Sequence, residues 1–213
     1  MINSPTDISN IHGKISNIQY IILHTSARSK WATDESELRY LRSVHANRFC
    51  YHDYVFSTGE YHNLAPTDSL LWHGGSGKLN NKIVNLNQIS IGVGMGGENL
   101  PSSLYPKAQY ESTVKGVALR CKELGLTASK ILGHKEVSGY RGKSDPAAFD
   151  MDKFRDDVYI ELKRSEIPAP KSLNQAPRKT IVIQNLNQAN VVYRGNYLAT
   201  DFGDKVHFRE VES

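Results

Sequence analysis

A chain of 213 residues with 39% hydrophobic and 23% charged residues has the composition of a folded protein: one medium domain with an appendage, or two small ones. Its net charge of +4, divided as +3 over residues 1–165 and +1 beyond, comes with no basic cluster interleaved with aromatics and argues against nucleic-acid binding. Cys50 and Cys121 are too few for a disulfide framework and lack thiolate-zinc spacing, and no apolar run approaches the roughly 18 residues that cross a bilayer.

The polar stretch Met1 to Lys14 lacks the apolar centre of a secretory signal, so synthesis in the cytoplasm is expected. Residues 19–24, rich in β-branched side chains, predict a buried strand ending at His24. Asp34 followed by Glu37 predicts a capped helix start, with Leu38, Leu41, His45 and Phe49 at near-helical spacing. Tyr51 to Ser57 reads as a strand, with Tyr61 to Leu64 pairing back across Thr58-Gly59-Glu60. Ser69 to His73 reads as another strand, and Gly74 to Asn81 as a polar loop. Ile89 to Val93 is a compact strand that breaks at Gly94. Pro106 opens a helix whose apolar face is Tyr110, Val114, Val117, Cys121 and Leu124, and Gly125 stops it. Lys130 to Gly133 is a short strand delivering His134, and Asp150 caps a last helix that turns Met151, Phe154, Val158 and Leu162 inward.

Strands alternating with helices, plus one hairpin, predict an α/β domain over residues 1–165 with a central mixed β-sheet flanked by helices. Pro168, Pro170 and Pro177 mark residues 166–178 as a linker. Residues 179–213 carry three strand-like pieces, Thr180–Gln184, Asn190–Tyr193 and Lys205–Val211, and form a small β-rich segment too short for a core of its own. That segment binds a substrate, self-associates or braces the main domain; the sequence does not rank these.

His24 and His134 each follow an apolar run, and Asp145 sits in a loop with Gly142 and Pro146. Two imidazoles and a carboxylate are an N,N,O donor set, and three protein ligands leave zinc a fourth position for hydrolytic water. Taken singly, His24 also reads as a core histidine and Asp145 as the start of a turn.

Five pieces in order carry a family resemblance: Ile22-Leu23-His24-Thr25-Ser26, Tyr51-His52-Asp53-Tyr54-Val55, Trp72-His73-Gly74-Gly75, Ser90-Ile91-Gly92-Val93, and Gly133-His134-Lys135-Glu136-Val137 with Lys143-Ser144-Asp145-Pro146. Over residues 17–160 the chain resembles the zinc-dependent N-acetylmuramoyl-L-alanine amidases, the fold shared with peptidoglycan recognition proteins, and looks most like short phage endolysins. The resemblance implies His24, His134 and Asp145 as zinc ligands. It implies Lys143 as a cation beside the reacting oxygen, and Tyr51 as a phenol that orients water or the carbonyl. His73 and Trp72 are expected to contact peptide or sugar, with Trp31 a further stacking candidate; His52 and His45 are expected to be structural, and Glu136 to hold its loop. One departure stands out: many relatives place a catalytic glutamate where this chain has Gly94.

The resemblance implies a zinc hydrolase that cleaves the amide between N-acetylmuramic acid and L-alanine, with peptidoglycan or a muropeptide as partner and no membrane insertion. An endolysin would reach the wall once released through a pore. The alternatives are a cytoplasmic muropeptide-recycling amidase and a non-catalytic wall-binding receptor.

Overall fold

The computed structural model describes residues 12–29, 31–43 and 51–166 and, as backbone, the strands 181–186, 189–193, 197–201 and 206–210. Two compact units divide the chain, Met1–Ile167 and Pro168–Ser213.

The first unit is built on a five-stranded mixed sheet. Its strands are β1 (Tyr20–Thr25), β2 (Asp53–Val55), β3 (Tyr61–Asn63), β6 (Ser90–Met95) and β7 (Ile131–Gly133), ordered β3-β2-β6-β1-β7. β1 runs parallel to β6 and β7, β2 runs parallel to β6, and β3 closes an antiparallel hairpin on β2. Alternation along the central strands divides two environments. Ile21 and Leu23 of β1 and Ile91, Val93 and Met95 of β6 pack beneath α2 (Lys107–Leu124) and α4 (Met151–Glu166), joining Val117, Cys121, Phe154 and Val158 in one core. The opposite face carries Ile22, His24, Gly92 and Gly94. It is covered by α1 (Asp34–Leu41), α3 (His134–Ser138) and a hairpin, β4 (Ser76–Leu79) with β5 (Lys82–Asn85).

The helix ends follow local chemistry. Gly125 takes the left-handed conformation at φ 64° that closes α2, and the Asp150 carboxylate accepts the Lys153 N–H at 2.9 Å to cap α4. At α1 the cap is Thr33 rather than Asp34: Thr33 and Ser36 exchange hydrogen bonds in a capping box. Asp34 is instead buried, accepting from the Arg28 guanidinium at 2.5 Å and the Ser57 N–H at 2.9 Å. His45, Phe49 and Cys50 lie outside the described residues.

Three other expectations need correction. Ser69 to His73 forms no strand; Ser69 makes a single bridge to Lys14. The expected polar loop is largely the β4–β5 hairpin, reversed by Asn80 and Asn81 at φ 47° and 62°, left-handed positions that asparagine tolerates. β6 does not break at Gly94 but runs on to Met95, because parallel pairing with His24 and Thr25 continues on one side and with Tyr54 and Val55 on the other. No helix among the described residues is long and apolar enough to cross a membrane.

The second unit contains two antiparallel pairs, β8 (Ile181–Leu186) with β9 (Ala189–Tyr193) and β10 (Tyr197–Asp201) with β11 (Val206–Glu210). The sequence reading missed β10, whose polar ends hide a short strand.

Candidate metal centre

The parallel strands deliver the site at their carboxyl ends, where open α/β sheets place their ligands. His24 is the fifth residue of β1, and His134 follows β7 directly as the first residue of α3. Asp145 arrives from the loop beyond α3, its carbonyl accepting the Lys135 N–H at 2.6 Å. Asn99 brackets that loop, donating to the Ser144 hydroxyl at 2.9 Å and accepting the Ala147 N–H at 2.7 Å.

The three side chains meet. His24 Nδ1 lies 2.9 Å from an Asp145 oxygen, His134 Nδ1 lies 3.0 and 3.1 Å from the same carboxylate, and one donor atom from each residue falls within 4.8 Å of the others. The far ring nitrogens reveal which atoms carry protons. His134 Nε2 faces the Gly74 carbonyl at 3.2 Å and must donate to it. His73 Nε2 likewise donates to the Ser90 carbonyl at 3.1 Å, so neutral His73 turns a bare Nδ1 toward His24 Nε2 at 3.2 Å. His24 therefore carries its proton on Nε2. Both Nδ1 atoms are left as lone pairs aimed at a carboxylate.

Three acceptors converging with no donor between them form a receptor for a cation. Burial pushes the His24 imidazole down to about 4, keeping it neutral and able to ligate. A tetrahedral zinc with bonds of about 2.1 Å spaces its ligands by about 3.4 Å, close to the gaps found here. The donor set fits zinc.

The surrounding residues organise this set. Two glycines on the site face of β6 make room for rings: a Cβ on Gly92 would sit 2.6 Å from the His73 ring, and one on Gly94 would sit 2.3 Å from Tyr51. Tyr51 is buried, with its ring centroid 5.1 Å from that of His24. Asn87 gathers the loop after Trp72: its side-chain oxygen accepts the N–H groups of His73, Gly74 and Gly75 at 3.2, 2.8 and 2.9 Å. That clamp aims the Gly74 carbonyl at His134. Glu136 ties β7 to α4, accepting the Gly133 N–H at 2.7 Å and both Arg155 guanidinium nitrogens at 3.0 Å.

A cleft of about 330 Å³ opens over the cluster, lined by His24, His134, Asp145, Tyr51 and Lys143 together with Glu37, Tyr40 and Leu41 of α1. A second hollow of about 190 Å³ adjoins it on the side of Trp72, Gly75 and Arg141, sharing His73, His134 and Lys143. The structure thus brings Tyr51, Lys143, His24, His134 and Asp145 to one cleft. Trp72 is 45% exposed at the neighbouring hollow and stacks on His12 at 4.2 Å, while Trp31 is exposed. His73 touches both spaces, yet it is only 5% exposed and engages both ring nitrogens with protein partners. His52 is fully buried, donating to the Ser69 carbonyl and accepting the Gly92 N–H. The sequence gave no role to Asn87 and Asn99 and marked Glu37 only as part of a helix start; an asparagine clamp on distant backbone groups has no local signature.

Comparison with solved structures shows the same fold. A selenomethionine derivative of AmpD superimposes with a TM-score of 0.62 at 18% identity, covering 74% of this chain and 99% of that one. A mutant endolysin from Bacillus subtilis gives 0.56 at 20% identity, covering 74% and 99%. The amidase AmiD from E. coli, solved with anhydro-N-acetylmuramic acid-L-Ala-D-gamma-Glu-L-Lys, gives 0.56 at 17% identity, covering 68% and 59%. No curated protein matches the sequence. Residues 14–148 match the family model described as N-acetylmuramoyl-L-alanine amidase, and this stretch contains both histidines and the aspartate. Spanning more than half of the sequence, that match makes the chain a member of the N-acetylmuramoyl-L-alanine amidase family.

Proposed function

We propose that the protein is a zinc-dependent N-acetylmuramoyl-L-alanine amidase that degrades peptidoglycan in the manner of a phage endolysin. The observation that carries this reading is the acceptor-only cluster of His24 Nδ1, His134 Nδ1 and the Asp145 carboxylate. A zinc ion held by His24, His134 and Asp145 would supply Lewis acidity and an acidified water.

The protein's own groups do the rest. Lys143, at the junction of the two hollows, offers positive charge to the carbonyl oxygen as the amide is attacked, an effect worth about 3 kcal/mol in comparable sites. Tyr51 orients water or the carbonyl from its seat over Gly94, and relay through ordered water returns a proton to the departing L-alanine amine. His73 acts through His24, fixing the tautomer that frees Nδ1, while Trp72 offers an exposed ring for sugar stacking. Gly94 leaves no carboxylate at that strand position, so proton handling falls on Tyr51 and Lys143 with water.

The decisive assay is release of the L-alanine amino terminus from a muramyl peptide. Activity should vanish on chelation, return with zinc, and be absent from His24→Ala, His134→Ala and Asp145→Ala. Turnover that survives thorough chelation overturns the reading. Faster cleavage of polymeric wall than of soluble muropeptides supports the endolysin role, which rests on the resemblance of the sequence and on the endolysin fold match; the reverse preference points to recycling.

A further inference from the structure

The cleft has a carboxylate with no assigned task. Glu37 projects from the middle of α1 into the space that holds the metal cluster, half-buried beside Tyr40 and Leu41. Its carboxylate takes no hydrogen bond from a described residue. The charges that act on it are Arg28 and Asp34, and Arg28 spends its guanidinium on Asp34 at 2.5 Å, so their effects oppose each other. Burial raises the Glu37 carboxyl above its usual range, the cost of leaving it without a counter-charge.

Lys143 lines both hollows, which differ in the charge that each adds to it. The one beside Trp72 carries Arg141 and Lys143 and has no acidic residue in its lining. The one beneath α1 carries Glu37 in addition to Asp145, which faces the histidines. A substrate with a neutral glycan at one end and an ammonium at the other has one favourable direction across such a field.

Resting on the reading of the cleft as a muramyl-L-alanine amidase site, we propose that Glu37 is a specificity residue that binds the side-chain ammonium of a diamino acid at the third position of the stem peptide. The stem then runs beneath α1 and the glycan lies toward Trp72. Two residues of extended chain separate that amino acid from the scissile bond, a reach of about 7–10 Å before the side chain is counted. The contact sits remote from bond cleavage and acts on binding.

The test uses the full chain loaded with zinc and three forms of N-acetylmuramyl-L-Ala-D-γ-Glu-L-Lys: free ε-amine, Nε-acetyl and Nε-succinyl. The wild type should favour the free amine over the acetyl form by about tenfold in kcat/KM, carried by KM, as expected for a charge-assisted hydrogen bond. Glu37→Gln should bring that ratio to within about twofold of one, and Glu37→Lys should turn the preference toward the anionic succinyl peptide, a reversal that loss of structure cannot produce. Calorimetric binding of the same peptides reads Glu37 even without turnover, so failure of the amidase reading and failure of this assignment are told apart. An unchanged preference in Glu37→Gln, by rate or by binding, overturns the proposal.

Discussion

His24 shows how much of this site depends on groups that never meet a substrate. Its useful lone pair exists because the Ser90 carbonyl sets the tautomer of His73 and His73 sets that of His24. Replacing His73 with leucine should therefore weaken zinc about 10–100-fold while leaving His24, His134 and Asp145 in place, as competition with a chromophoric chelator would show. Zinc affinity equal to the wild type would show that His73 does not set the His24 tautomer. Gly94 carries a different dependence, since the Tyr51 ring occupies the space of its missing Cβ. Gly94→Ala should cost about 1–3 kcal/mol by denaturant unfolding, with most of the loss relieved in a Tyr51→Ala background; additive losses would contradict the steric account. A glutamate at position 94 and the Tyr51 ring in this pose cannot both fit, since a Cβ there would already sit 2.3 Å from the ring. At this scale the sequence already named the three residues that converge, because each sits beside a strand end or a turn signal. It placed His73 on a cleft wall because ring orientation is set by partners 17 and 49 residues away.

Among the elements, β2 and α2 are joined by a buried ion pair in which Arg120 donates to both Asp53 oxygens at 2.8 and 2.6 Å. Asn63 donates to the same carboxylate at 2.8 Å, so the pair is well satisfied. Asp53→Asn should cost about 3 kcal/mol, because it leaves the buried guanidinium only the half-exposed Glu123 carboxylate as counter-charge; a loss of unfolding free energy under a quarter of that size would refute it. The face opposite α2 and α4 imposes a pH dependence. Burial pushes His52 down to about 4 from 6.5, so below 6.5 the unfolded chain takes up a proton that the native chain refuses. Stability of the metal-free protein is then complete above pH 6.5 and falls as pH drops toward 4, by about 3 kcal/mol from His52 alone. Burial displaces His24 and His73 in the same direction. Urea midpoints at neutral pH and near pH 5 should differ accordingly, and a flat profile would contradict the burial of neutral imidazoles. Elements with a strong period, β1, α2 and α4, were legible from sequence. The β4–β5 hairpin was not, because Ser-Gly-Lys-Leu and Lys-Ile-Val-Asn are too polar to announce strands, although Asn80-Asn81 was a usable turn signal.

For the molecule as a whole, the site residues all belong to the unit Met1–Ile167, and the α/β architecture follows from alternation that sorts β1 and β6 into a helix-covered face and a site face. A chain ending at Ile167 is expected to cleave a soluble muropeptide within about twofold of the full chain's rate, as a unit with its own core should; collapse of turnover would show that residues 168–213 complete the site. The sequence could announce this sheet because its central strands are short apolar runs, but it undercounted the strands of the second unit, where runs of five residues alternate with polar ones. The proposed chemistry needs one cation at one place. Anomalous diffraction at the zinc edge from zinc-equilibrated crystals tests it most directly. The expected result is a peak bonded at about 2.0–2.2 Å by His24 Nδ1, His134 Nδ1 and an Asp145 oxygen. A map with no peak there, or with zinc held elsewhere while these three side chains stay apart from it, would contradict the account.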